Sequence, residues 1–233
     1  MGFYNLNPEK IRDLQQPDEG ALLKHDGSNL ASVLAGLAAD SAAKKERVEE
    51  FLATVVPGVT AVNARTIGPR ETIEFRQEVA GSEDPWRFTA VNMSDGTLRA
   101  LGVLVALFQV SSGAGVVPLV GIEEPEIALH PAAANGLLDA LVEASRFRQV
   151  SVTSHSADLL DDPRIDTQSL LAVSQEHGIT QIGPVDETGR DAVRDRLFTP
   201  GELLRQNHLL PDPAAMTDSE EAQRSLFQEL TAA

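Results

Sequence analysis

The run Val117-Pro118-Leu119-Val120-Gly121-Ile122-Glu123-Glu124-Pro125-Glu126 leads an apolar segment directly into paired carboxylates, and Thr153-Ser154-His155-Ser156 closes a second apolar segment. Such a run predicts a strand buried on both faces, and the carboxyl end of a strand is where open α/β sheets place ligands. Two adjacent carboxylates repel there, and a magnesium ion holding nucleotide phosphates would relieve the repulsion. One carboxylate would organise the metal while the other orients water for in-line phosphoryl transfer. The same acids equally suit the dipole of a helix beginning near Pro131. His155 could donate to a terminal phosphate or serve as a cap, a role open also to its hydroxyl neighbours.

Ser94-Asp95-Gly96-Thr97 precedes the most apolar helical pattern in the chain, Leu98 to Phe108. Ser94 suits the cap of that helix, whose free amides and positive dipole end attract anions, and Gly96 allows close backbone approach. Asp95 favours the dipole but would repel a phosphate unless it points away. An ordinary N-cap and a phosphate cradle both remain open on these residues. A Gly-rich loop ending in Gly-Lys-Ser/Thr, the usual cradle for β- and γ-phosphates, is not found in the 233 residues.

These groups need a scaffold. Asn7-Pro8 predicts a helix start within Phe3–Gln16, broken at Pro17-Asp18-Glu19-Gly20. Apolar residues at three- and four-residue spacing over Ser28–Val56 predict two helices, or one broken near Asp40-Ser41. Alternation over Thr60–Ala90 predicts a small antiparallel sheet. From Met93 onward the order helix, strand, helix, strand predicts a mostly parallel sheet with helices on both faces. Its expected strands are Val116–Glu123, Gln149–Thr153 and Ser169–Val173, with a hairpin through Glu176-His177-Gly178 as a further element. The domains expected are residues 1–90, helical with a small antiparallel β region, residues 91–210 as the α/β lobe, and a polar tail over 211–233.

Taken in order, Met93-Ser94-Asp95-Gly96-Thr97-Leu98-Arg99 resembles the signature motif of ABC-type ATPases, Ile122-Glu123-Glu124-Pro125-Glu126 their Walker B motif, Ala128-Leu129-His130-Pro131 their D-loop and Thr153-Ser154-His155-Ser156 their switch histidine. The chain is similar to the soluble AAA-family branch that holds RecF-like, SMC-like and overcoming-lysogenization-defect-type ATPases, and Phe3–Leu37 looks like the region such proteins carry between their two lobes. The resemblance implies a P-loop NTPase-like α/β fold, ATP and Mg2+ as ligands, and the C-terminal lobe of a head that dimerises when complete. It implies Glu123 at the metal, Glu124 and His155 in catalysis, Ser94, Asp95, Gly96 and Thr97 at a nucleotide, and His130 facing the dimer. Glu123 stands where the family usually has Asp, one methylene shorter. The P-loop lobe would be supplied in trans or lost by truncation; the alternatives are a non-catalytic dimerisation or scaffold subunit of a partner ATPase, and a DNA-repair-associated binding module.

Composition narrows the classes. With no cysteine, disulfide frameworks and thiolate metal sites are excluded. No leader or long apolar run is evident, which sets a cytoplasmic, membrane-free protein as the expectation. The net charge is −16, which opposes a broad nucleic-acid surface. Residues 1–110 carry 11 basic and 15 acidic groups, and residues 111–233 carry 8 and 20, so a basic partner would prefer the second half. Arg65, Arg70, Arg76 and Arg87 are the candidate basic patch, with Glu71, Glu74 and Glu78 as expected partners.

Overall fold

Asn7 and Pro8 begin the first helix as their types require. The Asn7 side chain accepts from the Glu9 amide at 2.9 Å, and Pro8, which has no amide to satisfy, opens α1 (Pro8–Arg12). The computed structural model describes residues 1–111 and 115–215. It divides into two units, Met1–His155 and Ser156–Ala233, so the division falls inside the 91–210 segment expected as one lobe.

In the first unit, β1 (Gly2–Tyr4) precedes α1. Helices α2 (Leu30–Asp40) and α3 (Ala42–Val55) follow, separated at Ser41, whose φ of −157° leaves the helical region. Strands β2 (Val59–Ile67), β3 (Arg70–Gln77) and β4 (Trp86–Thr89) form the antiparallel sheet anticipated from alternation, in the order β2-β3-β4. Val62, Ile73 and Phe75 point to its buried face.

Helix α4 (Asp95–Phe108) is buried along almost its whole length, with only Asp95 and Arg99 outside the core. A helix apolar on all sides belongs at the centre of a unit. It packs on α1, α3, β7 (Leu119–Glu123) and α5 (Pro131–Ser145), and Phe108 stacks on Phe51 with ring centroids 5.6 Å apart. The short strands β5 (Val110–Ser111) and β6 (Gly115–Val116) pair with each other, and β8 (Gln149–Thr153) completes the unit.

The parallel sheet has the order β1-β7-β8. Its third strand is therefore β1 rather than the expected Ser169–Val173. Tyr4 registers with Ile122, and Glu123 with Thr153. Tyr4, Val120 and Ile122 are buried on one face, while the other carries Phe3, 57% exposed, beside the exposed Ser151. The centre of β7 is thus buried on both faces as expected, Val120 and Ile122 on one side and Gly121 beneath the Phe3 ring on the other, while Phe3 and Ser151 themselves are exposed.

Gln109, at the end of α4, is fully buried and bound on every side. Its amide nitrogen donates to the Tyr4 hydroxyl at 2.7 Å and to the Ala106 carbonyl, while its oxygen accepts from the Leu23 amide at 2.9 Å. The Arg148 guanidinium donates to the Ala106 and Gln109 carbonyls. Burial pushes the Tyr4 phenol above its ordinary pKa, against the lowering effects of Gln109 and Arg148. This polar knot, in which Arg148 Nε is buried without a hydrogen bond, ties β1 to the helix that will position the candidate site.

The second unit begins with α6 (Ala157–Leu160), capped by Ser156. Strands β9 (Leu171–Glu176) and β10 (Ile179–Pro184) form an antiparallel hairpin. His177 and Gly178 have φ of 51° and 83°, the pair of positive values that a two-residue hairpin turn requires. That turn chemistry explains why the 169–173 signal becomes a hairpin strand. Helices α7 (Glu187–Arg194) and α8 (Pro200–Arg205) follow, each with a side-chain cap. Asp161 accepts from Thr199 at 2.5 Å and from Arg205 at 2.9 Å. The tail expected over 211–233 lies outside the described residues from 216 onward. Among the described residues, no helix is long and apolar enough to cross a membrane.

Candidate functional site

The paired carboxylates lie where the strand pattern puts them, at the carboxyl end of β7. Glu123 is exposed, and its Oε2 accepts from Asn5 Nδ2 at 2.6 Å. The chain then turns sharply: Glu124 has φ of 42° and donates its amide to the Thr153 carbonyl at 2.9 Å. Positive φ in non-glycine residues is sparsely populated and gathers where surrounding structure holds it in place. Glu124 Oε1 lies 3.9 Å from His155 Nε2, with His155 itself 87% exposed.

A second tie joins the same two strand ends. Ser154 Oγ donates to Glu126 Oε1 at 2.5 Å, and the other oxygen, Oε2, is buried without a hydrogen bond. Glu126 thereby holds the turn after β7 against the residue that precedes His155. The turn continues with hydrogen bonds from Ile127 to Glu124 and from Leu129 to Glu126, and Ala128 has φ of 64°.

Ser94 caps α4, accepting from the Thr97 amide at 3.2 Å, with the two hydroxyls 2.9 Å apart. Asp95 points to α1, where Arg12 Nη2 meets it at 2.5 Å and also donates to the Met93 carbonyl at 3.2 Å. The acid that would oppose an anion is thus paired with a cation. A Cβ on Gly96 would lie 2.3 Å from the Ala128 carbonyl oxygen, so the missing side chain makes room for the turn that follows the carboxylates. His130 is exposed before α5, and its carbonyl accepts from Ala133 at 2.7 Å.

The structure therefore brings Glu124 to His155 and the start of α4 to the Ala128 turn. Glu123 faces Asn5 instead. Asn5 and Arg12 carried no local signal as partners, Asn5 lying 118 residues from Glu123, and Ser154, expected as a turn or cap residue, instead holds Glu126.

The donor chemistry suits magnesium, which is usually held by one or two carboxylates together with phosphates and water. Among the described residues no three acidic or imidazole groups converge as a self-contained ligand set. A site completed by phosphate oxygens fits these residues, and a site closed by protein ligands does not.

A strand end bearing acids thus lies beside a strand end bearing His, with a capped apolar helix at its side. Residues 8–162 match the family described as AAA domain, putative AbiEii toxin, Type IV TA system, and the chain belongs to that family. No match was found among curated proteins. The solved structures it resembles include one from work on ATP-driven dimerization and DNA-stimulated activation of SMC ATPases, at 16% identity and a TM-score of 0.47, covering 70% of this chain and 96% of that one. An SMC head domain with coiled coil and joint from Pyrococcus yayanosii is 17% identical, with a TM-score of 0.46 over 67% of this chain and 29% of that one. The SMC head domain from Thermotoga maritima is 17% identical, with a TM-score of 0.42 over 67% of this chain and 52% of that one. The chain thus spans about a third to a half of the length of the latter two.

Proposed function

We propose that this chain supplies one half of an ATP-hydrolysing head of the ABC type, acting in the cytoplasm with a phosphate-loop lobe and a second head. The observation that supports this most directly is the 3.9 Å approach of Glu124 to His155 across adjacent parallel strand ends. Glu123, free of the turn and open to solvent, is the acid that would hold magnesium, which when bound offsets the charge of the phosphates. Glu124 orients a water and takes its proton. His155 donates toward a terminal phosphate oxygen and is itself oriented by Glu124.

Ser94 to Thr97 form the signature surface that would face a nucleotide held by the second head, with Asp95 turned aside by Arg12. His130, exposed on the D-loop segment, faces the seam between heads. The phosphate-loop amides and Lys that hold β- and γ-phosphates come from outside these 233 residues.

The test is magnesium-ATP titration of the chain with and without the phosphate-loop lobe. Binding is expected only with both, and tight binding by the chain alone would overturn the half-site. In the joined protein, Glu124→Gln is expected to retain ATP while lowering hydrolysis by about 10²-fold or more, the scale of a general base. Unchanged turnover would favour the alternative, a non-catalytic dimerisation subunit. That alternative draws support from one contact, the Asn5 amide that already occupies Glu123 Oε2.

A further inference from the structure

The outer face of the antiparallel sheet gathers arginines that the candidate site does not use. Pleat and register put Arg65 of β2, Arg70 and Arg76 of β3 and Arg87 of β4 on the face opposite Val62, Ile73 and Phe75. The one acid on that face is Glu74, only 7% exposed. Arg65 reaches it at 2.8 Å and Arg87 at 3.8 Å. The partners expected from sequence are otherwise absent: Glu71 binds Ser32, and among the described residues Arg70 and Arg76 make no ion pair.

The register adds a cost that only Arg87, through Glu74, offsets within the chain. Arg76 lies directly opposite Arg87, and like charges in that relation destabilise a sheet. The face therefore carries four arginines and one carboxylate, which two of them engage, in a chain of net charge −16.

We propose that this face docks an acidic polypeptide segment. Arg65 and Arg87 on Glu74 show the mode of recognition, guanidinium on carboxylate. An extended segment with alternating acids repeats every ~6.7 Å, the spacing of same-face positions on the strands it would cover. The patch is short, about 20 Å from Arg70 to Arg76 at the usual strand rise. Duplex nucleic acid places one charge every ~1.7 Å, about a dozen over that length, against four arginines on a protein of charge −16. A segment with three or four carboxylates matches the patch in charge and extent.

Fluorescence anisotropy of the full chain with a labelled short peptide of alternating Glu and Thr, at low salt, tests it. Binding is expected to weaken with added salt and to be lost for the Gln-Thr counterpart. Arg76→Thr, which removes the like-charge pair and leaves Arg87 on Glu74, is expected to weaken binding while leaving the melting temperature unchanged or higher. Arg70→Thr, remote from that pair, is expected to weaken binding as well. Failure of the Glu-Thr peptide to bind, or equal binding of the Gln-Thr peptide, would overturn the proposal. So would a fall in melting temperature in Arg76→Thr, which makes the pair structural, or tighter arginine-dependent binding of a labelled oligothymidylate, which makes the face a nucleic-acid surface.

Discussion

Gly96 and Ala128 meet so closely that a Cβ on the glycine would sit 2.3 Å from the Ala128 carbonyl oxygen. The contact joins the start of α4 to the turn that carries Glu124 and Glu126. Real side chains do not approach a backbone oxygen this closely, so Gly96→Ala must displace one of the two elements. Overpacking a tight contact costs about 1–3 kcal/mol. Urea denaturation is expected to show a loss of that size with an unchanged slope, and an unshifted midpoint would mean that the turn yields freely.

The two polar residues beside Gly96 should behave differently. Ser94 satisfies the Thr97 amide, and Ser94→Ala is expected to lower stability by about 1 kcal/mol, the usual value of an N-cap. Asp95 is 60% exposed and Arg12 28%, so Arg12→Ala should cost less than about 1 kcal/mol as an ion pair in water. Its larger effect should be on the direction of Asp95. If nucleotide is gripped here by a second head, Arg12→Ala is expected to weaken ATP-dependent dimerisation of the joined protein more than it lowers stability.

Much of this scaffold was legible because it rests on local chemistry. Asn7-Pro8 opens α1, Ser41 breaks the long helical stretch, and Gln149–Thr153 is a strand with the anticipated limits. What escaped was non-local. Gly2–Tyr4 is three residues long and carries no periodicity, yet it pairs with β7 across the length of the unit. Asn5 and Arg12 reach Glu123 and Asp95 only because β1 and α1 dock there. Gly96 illustrates the limit differently: a phosphate and a neighbouring carbonyl both demand a glycine, and sequence alone does not distinguish them. The 169–173 segment had an apolar signal compatible with either sheet, and the two positive φ values at His177 and Gly178 decided for the hairpin.

That turn yields its own test. Gly178 at φ 83° lies in the region favouring glycine, with open space around its Cβ position, so Gly178→Ala meets strain and no clash. A loss of about 1 kcal/mol is expected. His177→Asn, a residue that tolerates φ near 51° better, should be neutral or stabilising by hydrogen exchange of the hairpin amides.

Acid should act on the first unit through Glu143. The hydrogen bond from Arg47 holds its carboxyl below the ordinary glutamate range, outweighing the opposite effect of burial. A carboxylate with a depressed folded-state pKa contributes stability above the unfolded value, and that contribution is lost as pH falls through the folded one. The contribution should be complete at neutral pH and decline below about 4.3, the unperturbed glutamate value. Glu143→Gln is expected to lose less stability than the parent between neutral pH and pH ~3.5. Parallel acid limbs in urea melts of the two proteins would rule out the linkage.

The tie between Ser154 and Glu126 predicts an asymmetry between two substitutions. Glu126 Oε1 accepts from Ser154, and Oε2 is buried without a hydrogen bond. Ser154→Ala removes a partner from a carboxylate that is already short of one. The usual penalty for leaving a buried acceptor unpaired is about 1–3 kcal/mol, more when it is charged. Glu126→Gln removes the charge while keeping an oxygen that Ser154 can still reach, so it should cost less. In the joined protein the order of effects on hydrolysis should follow the same logic, because both residues set the separation between the Glu124 turn and His155. Ser154→Ala is expected to reduce turnover with little change in ATP binding, and Glu126→Gln to reduce it less. Greater loss in Glu126→Gln, with folding intact, would mean that the carboxylate charge itself is needed and that Glu126 does more than hold the turn.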